Sequence, residues 1–289
     1  MIQLSGNLDR IGRQLTQSIS DELDRVGIFH RIFFRTKKDD SINSKISSKG
    51  YDGVSLLLQD LIGIRINLYF VDDIEIVYPF LKKFFVFIDE TIDKNEETVF
   101  KPTRINLIFK IPDEHEQEYK EVASDKHLDN TFELQLRTVL SEGWHEVDHD
   151  LRYKCKSDWN ENKDLGRMFN GILASLEASD WTTIQIFQNL SFRHYKSNSL
   201  PSMIRSKFRI RIKNEILNED VSNFINSDDE LIRLIYKIDR NEFLNQFLAS
   251  NIIMPLNLSN LVFLFNHLFL KNEKLNALTP KILLDEFNS

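Results

Sequence analysis

Residues 131–138, TFELQLRT, indicate most clearly how this chain folds. Apolar side chains at Phe132, Leu134 and Leu136 alternate with polar ones, which places the two sets on opposite faces of a β-strand. The run IGIRINLYF at 62–70 alternates in the same way. Two strands, each with one polar and charged face, are therefore predicted.

Helical and extended patterns continue on both sides of this pair. Six apolar residues recur every three or four positions between residues 5 and 30, as on one helix face: Leu8, Ile11, Leu15, Ile19, Leu23 and Val26. The remaining runs are β-rich at 31–36, 84–88 and 103–111, and helical near 41–48, 73–83, 138–154 and 160–195. The predicted fold class is α+β, a mixed sheet flanked by helices.

The C-terminal third has a different composition. SNSLPS at 197–202 is typical of a linker, and residues 203–289 contain no glycine and are mostly helical in pattern. We therefore predict one domain at 1–196 and a helical region at 203–289. Its apolar cluster would be a regulatory cap, a homo-oligomer interface or a docking site for an inhibitor protein: Phe263, Phe265, Leu268 and Phe269.

Composition limits the compartment and the partners. The chain has 289 residues, 42% hydrophobic and 28% charged, with a net charge of −7, so a polyanion would have to be held by a local basic patch. Cys155 is the only cysteine, which suits a reducing, cytoplasmic location, and the first residues lack a secretory pattern. The apolar stretch 252–270 contains Pro255 and several Asn residues, so a buried helix is expected there rather than a membrane span.

Two charged clusters lie before and at the start of the strand predicted at 62–70. In FFRTKKDDSINSKI, residues 33–46, a basic strand end leads into a helix start, where backbone N–H groups favour a polyphosphate; a solvated, capped helix start explains the same residues. Asp60 and Gly63 precede Arg65. Asp60 could bind Mg²⁺ through oxygen, or form a surface ion pair with Arg65.

A third cluster, His145-Glu146-Val147-Asp148-His149, matches the H-E-x-x-H pattern of zinc metallopeptidases. Both histidines would share one helix face, with Glu146 as the base. A third ligand would have to come from Glu161 or Glu177, and neither lies in a second motif. An ordinary solvated helix also explains the pattern, so zinc chemistry is kept as an alternative.

Together these segments resemble the synthetase domain of the RelA/SpoT family, over about residues 5–195. Four ordered motifs carry the resemblance: Arg35, Lys37, Ser41 and Lys45 on the ATP side; Asp60, Gly63 and Arg65; Glu133, Gln135, Arg137 and Thr138; and Trp144, His149, Tyr153 and Lys154. The resemblance implies a nucleotidyltransferase fold similar to polymerase β. It also assigns His149 to a motif of the family rather than to zinc.

The resemblance implies transfer of pyrophosphate from ATP to a ribose hydroxyl of an acceptor. Mg²⁺ would be held by Asp60 and Glu133, and Glu133 would help to deprotonate the hydroxyl. Arg35 would stack on the adenine. Three cations would neutralise the phosphates, namely Lys37, Lys45 and Arg65. The supporting residues are Ser41, Gln135, Arg137, His149, Tyr153 and Lys154.

One departure from the family concerns the acceptor. The family's G-Y-x-S-x-H segment stacks its Tyr on guanine, whereas residues 101–106 place Pro102 and Asn106 at the Tyr and His positions. Losing a stack worth about 1–3 kcal/mol disfavours GDP and GTP. The acceptor is then an adenine nucleotide or the 3′ end of tRNA, as in toxic small synthetases, with a growth-inhibiting or defence role.

Two further alternatives stay open. RSKFRIRIK at 205–213 alternates cations with apolar residues, which predicts a ribbon with one cationic face for RNA phosphates or an ordinary charged edge strand. The altered segment at 101–106 also leaves open the alternative of a catalytically degenerate nucleotide-sensing module that binds ATP without turnover.

Overall fold

In a computed structural model of the chain, residues 7–49, 51–54, 56–92, 105–123, 125–212 and 217–288 are described. Five strands form one mixed sheet in the order β1-β2-β5-β4-β3, in which β2 and β5 are parallel and the other neighbours antiparallel. The strands are β1 His30–Thr36, β2 Ile62–Leu68, β3 Phe87–Ile92, β4 Ile105–Lys110 and β5 Thr131–Thr138.

Helices precede, interrupt and follow the sheet. Those within the first 160 residues are α1 Asn7–Val26, α2 Asp39–Lys49, α3 Ile74–Phe84, α4 Asp113–Val122, α5 Val139–Val147 and α6 Lys156–Trp159. Those that follow are α7 Lys163–Lys196, α8 Leu200–Phe208, α9 Glu219–Asn226, α10 Asp229–Lys237, α11 Arg240–Ala249, α12 Leu258–Phe265, α13 Glu273–Leu278 and α14 Lys281–Phe287. Short π-helical turns continue α5 at Asp148–Tyr153 and α12 at Asn266–Leu270.

The alternating patterns predicted the strands because one face of the sheet is buried. Ile64 on β2 and Leu134 and Leu136 on β5 are almost fully buried, and the six periodic apolar residues of α1 are buried as well. A methyl group at Gly12 of α1 would lie 2.6 Å from a ring carbon of Phe34, so glycine permits the close approach of α1 to β1. The α+β prediction is confirmed.

Two predicted strands are wrong or misplaced. The run at 84–88 divides between the end of α3 at Phe84 and β3, which begins at Phe87. The run at 205–213 is no cationic ribbon in its described part, because α8 continues through Phe208 and Arg209 then adopts a left-handed conformation with φ 47°. Arg209 is buried and bound to Asp72, so its charge is paired inside the protein and does not contribute to a cationic surface. Lys213 lies outside the described residues.

The described residues divide into two compact units. The first unit holds residues up to 20, 30–69 and 77–179, and the second holds 21–29, 70–76 and those from 180 onwards. Within the second unit α7 ends at Lys196 and α8 begins at Leu200, which is buried. The predicted linker at 197–202 is thus reduced to a three-residue turn followed by helix.

The core of the second unit is aromatic. Phe208 stacks on Phe265 with ring centroids 4.4 Å apart, and Phe243 meets Phe265 edge-on at 4.9 Å. Within the apolar stretch 252–270, only residues 258–270 are helical, as α12 and its π-helical continuation, and the apolar residues of α12 are buried, which confirms a buried helix for that part. Phe263 and Phe265 are buried in this core, and the role of the cluster as a cap, interface or docking site stays a prediction. No helix in the described ranges has the length and apolarity to cross a membrane.

A buried ionic cluster ties the turn after β2 into the second unit. Arg240 donates to Asp73 at 2.5 Å and to the carbonyl of Phe208 at 2.8 Å, and Arg209 contacts Asp72. Burial raises the pKa of Asp73, although the positive charge of Arg240 opposes that rise. Removing one partner would leave a buried charge without compensation, which is strongly destabilising.

Candidate active site

The sheet register lines up the motif residues of three strands on one face. Arg35 on β1 pairs with Gly63 on β2, which pairs with Glu133 on β5. In the adjacent row Phe33 pairs with Arg65, which pairs with Gln135. Directly paired residues share a face of the sheet, so these rows face the same side. They line a cavity of about 150 Å³ together with Phe34, Ile64 and Glu146.

A lysine cluster, consisting of Lys37, Lys45 and Asp60, lies where the β1–β2 ladder ends. Lys37 follows β1, and Lys45 comes from α2. Both ammonium groups donate to Oδ2 of Asp60, at 2.5 Å from Lys37 and 2.8 Å from Lys45. The backbone N–H of Lys37 also donates to the carbonyl of Leu61 at 2.9 Å, which fixes the cluster within about two residues of the Arg35–Gly63 pair.

Charge and burial compete in the lysine cluster. Burial alone would raise the pKa of Asp60, but hydrogen bonds from the two lysines outweigh it and hold that pKa below its ordinary value. Burial lowers the pKa of Lys37, helped by the nearby charge of Lys45, and Asp60 only partly offsets it. For Lys45 burial acts in the same direction, yet Asp60 prevails and the pKa is raised. Asp60 is therefore an anion at neutral pH.

An arginine network occupies the neighbouring part of the same sheet face. Its members are Arg65, Gln135, Arg137, Glu142 and Glu146. Arg65 donates to Glu142 at 2.6 Å and also contacts Glu146. Arg137 donates to Glu142 at 2.9 Å and to Gln135 at 3.1 Å. Gln135 in turn donates to Glu133 at 3.2 Å, so the network ends on a predicted catalytic carboxylate.

The first turn of α5 positions the acidic members of this network. Thr138 at the end of β5 accepts from the backbone N–H of Ser141, and Ser141 accepts from the backbone of Thr138, a reciprocal cap that fixes where the helix begins. Glu142 then lies over the arginines, and Glu146 follows one turn later. The pKa of Arg137 is lowered, first by burial and then by Arg65. Burial also acts to lower the pKa of Arg65, but Glu142 and Glu146 together outweigh it and raise that pKa.

The carboxylates fit the Mg²⁺ that the family resemblance implies. The Oδ1 atom of Asp60 is buried and has no hydrogen-bond partner among the described residues, so one oxygen remains for a cation. Glu133 lines the cavity. Mg²⁺ is usually held by one or two carboxylates together with substrate phosphates, and these two residues are the ones that would supply such a donor set.

The remaining predicted residues lie apart from this cavity. Ser41 is exposed on α2. His149 and Tyr153 stack on each other with centroids 6.1 Å apart, on the π-helical turn after α5, and Lys154 pairs with Asp150 at 2.8 Å. Arg152 anchors that turn by donating to Asp148 at 2.6 Å. None of these predicted residues lines the cavity, so their supporting roles remain predictions.

The residues of the H-E-x-x-H pattern have other contacts. His145 is buried and meets Trp144 edge-on at 5.3 Å, the carboxylate of Glu146 contacts Arg65, and His149 pairs with Asp150 at 2.9 Å. Within the described ranges no group of three or more His, Cys, Asp or Glu side chains is placed to hold a metal ion. Glu146 belongs to the arginine network.

The acceptor segment is only partly described. Lys101, Pro102 and Arg104 lie outside the described residues. Asn106 is on β4, directly opposite Gln135 on β5, and so extends the row that contains Phe33 and Arg65. The position where the family has its His is therefore beside the candidate site.

Two contributors were missed by the sequence analysis. Glu142 was not singled out, and Glu146 was considered only as part of the zinc pattern. Their spacing of four residues on the helix after a basic strand was a usable signal, because acids one turn apart can face the same cations. The pairing of both lysines with Asp60 was also not predicted, since it depends on how the strand ends meet.

Comparison with known proteins gives a family match over the same segment. Residues 34–158 match the model described as the region found in RelA / SpoT proteins. A curated relative is GTP pyrophosphokinase YjbM of Bacillus subtilis (strain 168), 30% identical over 112 residues, which are 37% of this chain and 48% of the relative. The match thus spans about half the length of that relative.

Solved structures give lower identities. Small alarmone synthetase 1 from Bacillus subtilis is 21% identical, with a TM-score of 0.44, covering 63% of this chain and 96% of that one. A GTP pyrophosphokinase family protein from Streptococcus pneumoniae is 21% identical, with a TM-score of 0.44, covering 60% and 86%. The family match encloses β2, β5, the lysine cluster, the arginine network and the residues that line the cavity except Phe33. Residues 34–158 of this chain are thus similar to the region found in RelA / SpoT proteins.

Proposed function

We propose that this chain is an ATP-dependent pyrophosphokinase that acts on a ribose hydroxyl of a nucleotide or of a tRNA 3′ end. The observation that supports this most is the row Arg35, Gly63 and Glu133 across three strands, with the lysine cluster at its end, inside a RelA/SpoT region. The row places the cation of Arg35, the open space at Gly63 and the carboxylate of Glu133 side by side. The cation and the space suit a polyphosphate, and the carboxylate suits the hydroxyl that attacks it.

Binding of ATP would use the exposed side of β1 and β2. Arg35 is exposed and lies over Gly63, whose missing side chain leaves space in the cavity. A guanidinium in that position can stack on adenine, and Phe33 in the next row adds an apolar wall. The lysine cluster has two cations and one anion, so it retains positive charge for the phosphates.

The chemical step is a displacement at the β-phosphorus of ATP. The acceptor oxygen forms a bond to this phosphorus while the bond to the oxygen shared with the α-phosphorus breaks. AMP then leaves with that oxygen, and the acceptor gains a pyrophosphate. Glu133 would take the hydroxyl proton, because it borders the cavity, whereas the other carboxylate at the cavity, Glu146, contacts Arg65. Positioning and charge neutralisation supply most of the catalysis in such transfers.

Mg²⁺, when bound with ATP by Asp60 and Glu133, would neutralise the developing phosphate charge. Asp60 would accept this role through its partner-free oxygen while its other oxygen holds both lysines. Gln135 would keep Glu133 oriented through its amide hydrogen bond. Asp60 would thus anchor the cations, and Glu133 would accept the proton.

The acceptor is proposed to be neither GDP nor GTP. This proposal is supported by the sequence at 101–106, in which Pro102 cannot stack as an aromatic ring does, and by Asn106 beside Gln135 on the site face. The loss of one stack corresponds to about tenfold to hundredfold weaker guanosine binding. An adenine nucleotide and the tRNA 3′ end are the acceptors that remain.

The decisive experiment incubates the pure chain and Mg²⁺ with γ-labelled ATP and one acceptor at a time. GDP, GTP, ADP, ATP and deacylated tRNA are compared at one salt concentration, and AMP and labelled products are separated by chromatography. Pyrophosphate transfer to an adenine nucleotide or tRNA, with GDP and GTP at least about tenfold slower, is expected. Pro102→Tyr should then improve GDP and GTP selectively.

Three outcomes would contradict parts of this proposal. Fast transfer to GDP would show that another group supplies the stack. ATP binding without transfer to any acceptor would favour the degenerate binding module. Release of peptides from a protein substrate, lost in His145→Ala and accompanied by bound zinc, would revive the metallopeptidase alternative.

A further inference from the structure

Two carboxylates of α5 contact the same arginines but differ in exposure. The side chain of Glu142 is 18% exposed and binds both Arg65 and Arg137. The side chain of Glu146 is 52% exposed, contacts Arg65 and lies 3.9 Å from Arg137. Glu142 alone would satisfy one edge of each guanidinium. Glu146 is therefore an additional anion on Arg65 that the packing of the network does not require.

Glu146 also has a place in the cavity that Glu142 lacks. It lines the cavity together with Arg35, Arg65 and Glu133. Its carboxylate thus contacts Arg65 at the border of the cavity, through the same Nη1 atom that binds Glu142. Two arginines opposed by two carboxylates have no net charge, whereas an anion-binding site needs an excess of positive charge.

We propose that Glu146 is a carboxylate gate that competes with the ligand's phosphates for Arg65 and so lowers the affinity of the site for polyphosphates. The proposal rests on the proposed function for the identity of the natural ligand, ATP, but the competition itself depends only on Arg65. When a polyphosphate binds, Glu146 moves into solvent, which its exposure permits at little energetic cost. Arg65 then exchanges one anion for another.

The test measures binding of inorganic tripolyphosphate to the full chain by calorimetry at low, constant salt. Glu146→Gln keeps the shape of the side chain and removes the competing charge, so binding should tighten on the order of tenfold. Adding Arg65→Gln to that variant should remove the gain. Thermal unfolding of each variant verifies that it is folded.

Two controls separate the gate from simpler explanations. Glu121→Gln makes the same change in net charge at an exposed position of α4, where Glu121 accepts a hydrogen bond from Gln117, and it should leave the affinity unchanged. Glu142→Gln should give no comparable gain, since Glu142 braces both arginines.

The results distinguish the gate from the activity. Unchanged or weaker tripolyphosphate binding in Glu146→Gln would overturn the gate, as would absence of tripolyphosphate binding in every variant. A wild-type chain that transfers pyrophosphate to no acceptor would defeat the pyrophosphokinase proposal but would leave a tenfold gain in anion binding, and hence the gate, intact.

Discussion

The lysine cluster and the arginine network differ in how far neighbouring carboxylates neutralise their positive charges. Lys37 and Lys45 share a single carboxylate, Asp60, so one positive charge is uncompensated. Arg65 and Arg137 meet two carboxylates, Glu142 and Glu146, so their charges are balanced. A basic sequence motif therefore does not reveal how much positive charge a ligand finds, because that depends on the acids that the fold brings to it.

The largest effect is expected when the anionic groups that would serve Mg²⁺ are removed. Asp60→Asn and Glu133→Gln each delete one charge at nearly constant shape, and turnover should fall on the order of a thousandfold. AMP release measures the effect, with circular dichroism as the control for folding. Near-wild-type activity in either variant would show that its carboxylate does not serve the reaction.

The next effect compares the two clusters directly. Lys37→Gln and Lys45→Gln should each raise the KM for ATP on the order of tenfold to a hundredfold, since each removes the uncompensated charge. Arg65→Gln should raise it less, because Glu142 and Glu146 already neutralise that guanidinium in the free protein. Steady-state kinetics at constant salt gives the three values. A larger effect for Arg65 would mean that ligand binding frees it from both acids.

Gly63→Ala tests the space between the clusters. A methyl group there would lie 3.7 Å from the Cγ of Arg35, an ordinary contact, so the fold should persist while the cavity shrinks. We expect about a tenfold increase in the KM for ATP, the size typical of a small steric change in a binding pocket. Gly171→Ala on α7, where nothing lies within 4 Å, is the matched control and should change KM little.

The smallest effect concerns acid stability and singles out Asp60. Its pKa in the folded chain is below its ordinary value near 3.8, so its ion pairs contribute stability above that value. This contribution is lost as the pH falls from about 4 through the lower folded-state pKa. Urea unfolding at stepwise lower pH should show this loss in the wild type, and the corresponding loss should be smaller in Asp60→Asn. Identical pH profiles would assign the acid sensitivity to other carboxylates.

Local periodicity accounts for what was predictable. β2, β5 and α1 each bury one face against a core, so their apolar spacing directly reflects their structure. The row formed by Arg35, Gly63 and Glu133 depends on the register of three strands. No single run of sequence encodes that register, so the row could not be predicted from local patterns. The family resemblance grouped those motifs, and the sheet register shows how they come to lie side by side.

The errors have equally specific causes. Residues 205–212 alternate as a strand would, yet Phe208 and Arg209 are drawn into the second unit by aromatic packing and by Asp72. Tertiary contacts of this kind override a local pattern. The acids of α5 were overlooked because a zinc motif overlapped them. An H-E-x-x-H match cannot show whether its glutamate faces a metal or an arginine.

The ionic cluster at Asp72 and Asp73 cannot form until Arg240 has been synthesised on the ribosome. Asp73 precedes its partner Arg240 by 167 residues. At translation rates of about 5–20 residues per second, the delay between them is on the order of 10–30 s. During that interval the turn after β2 must stay hydrated or be shielded by a chaperone. A nascent chain arrested before residue 240 should therefore expose the turn at 70–76 to protease, and release of the complete chain should protect it.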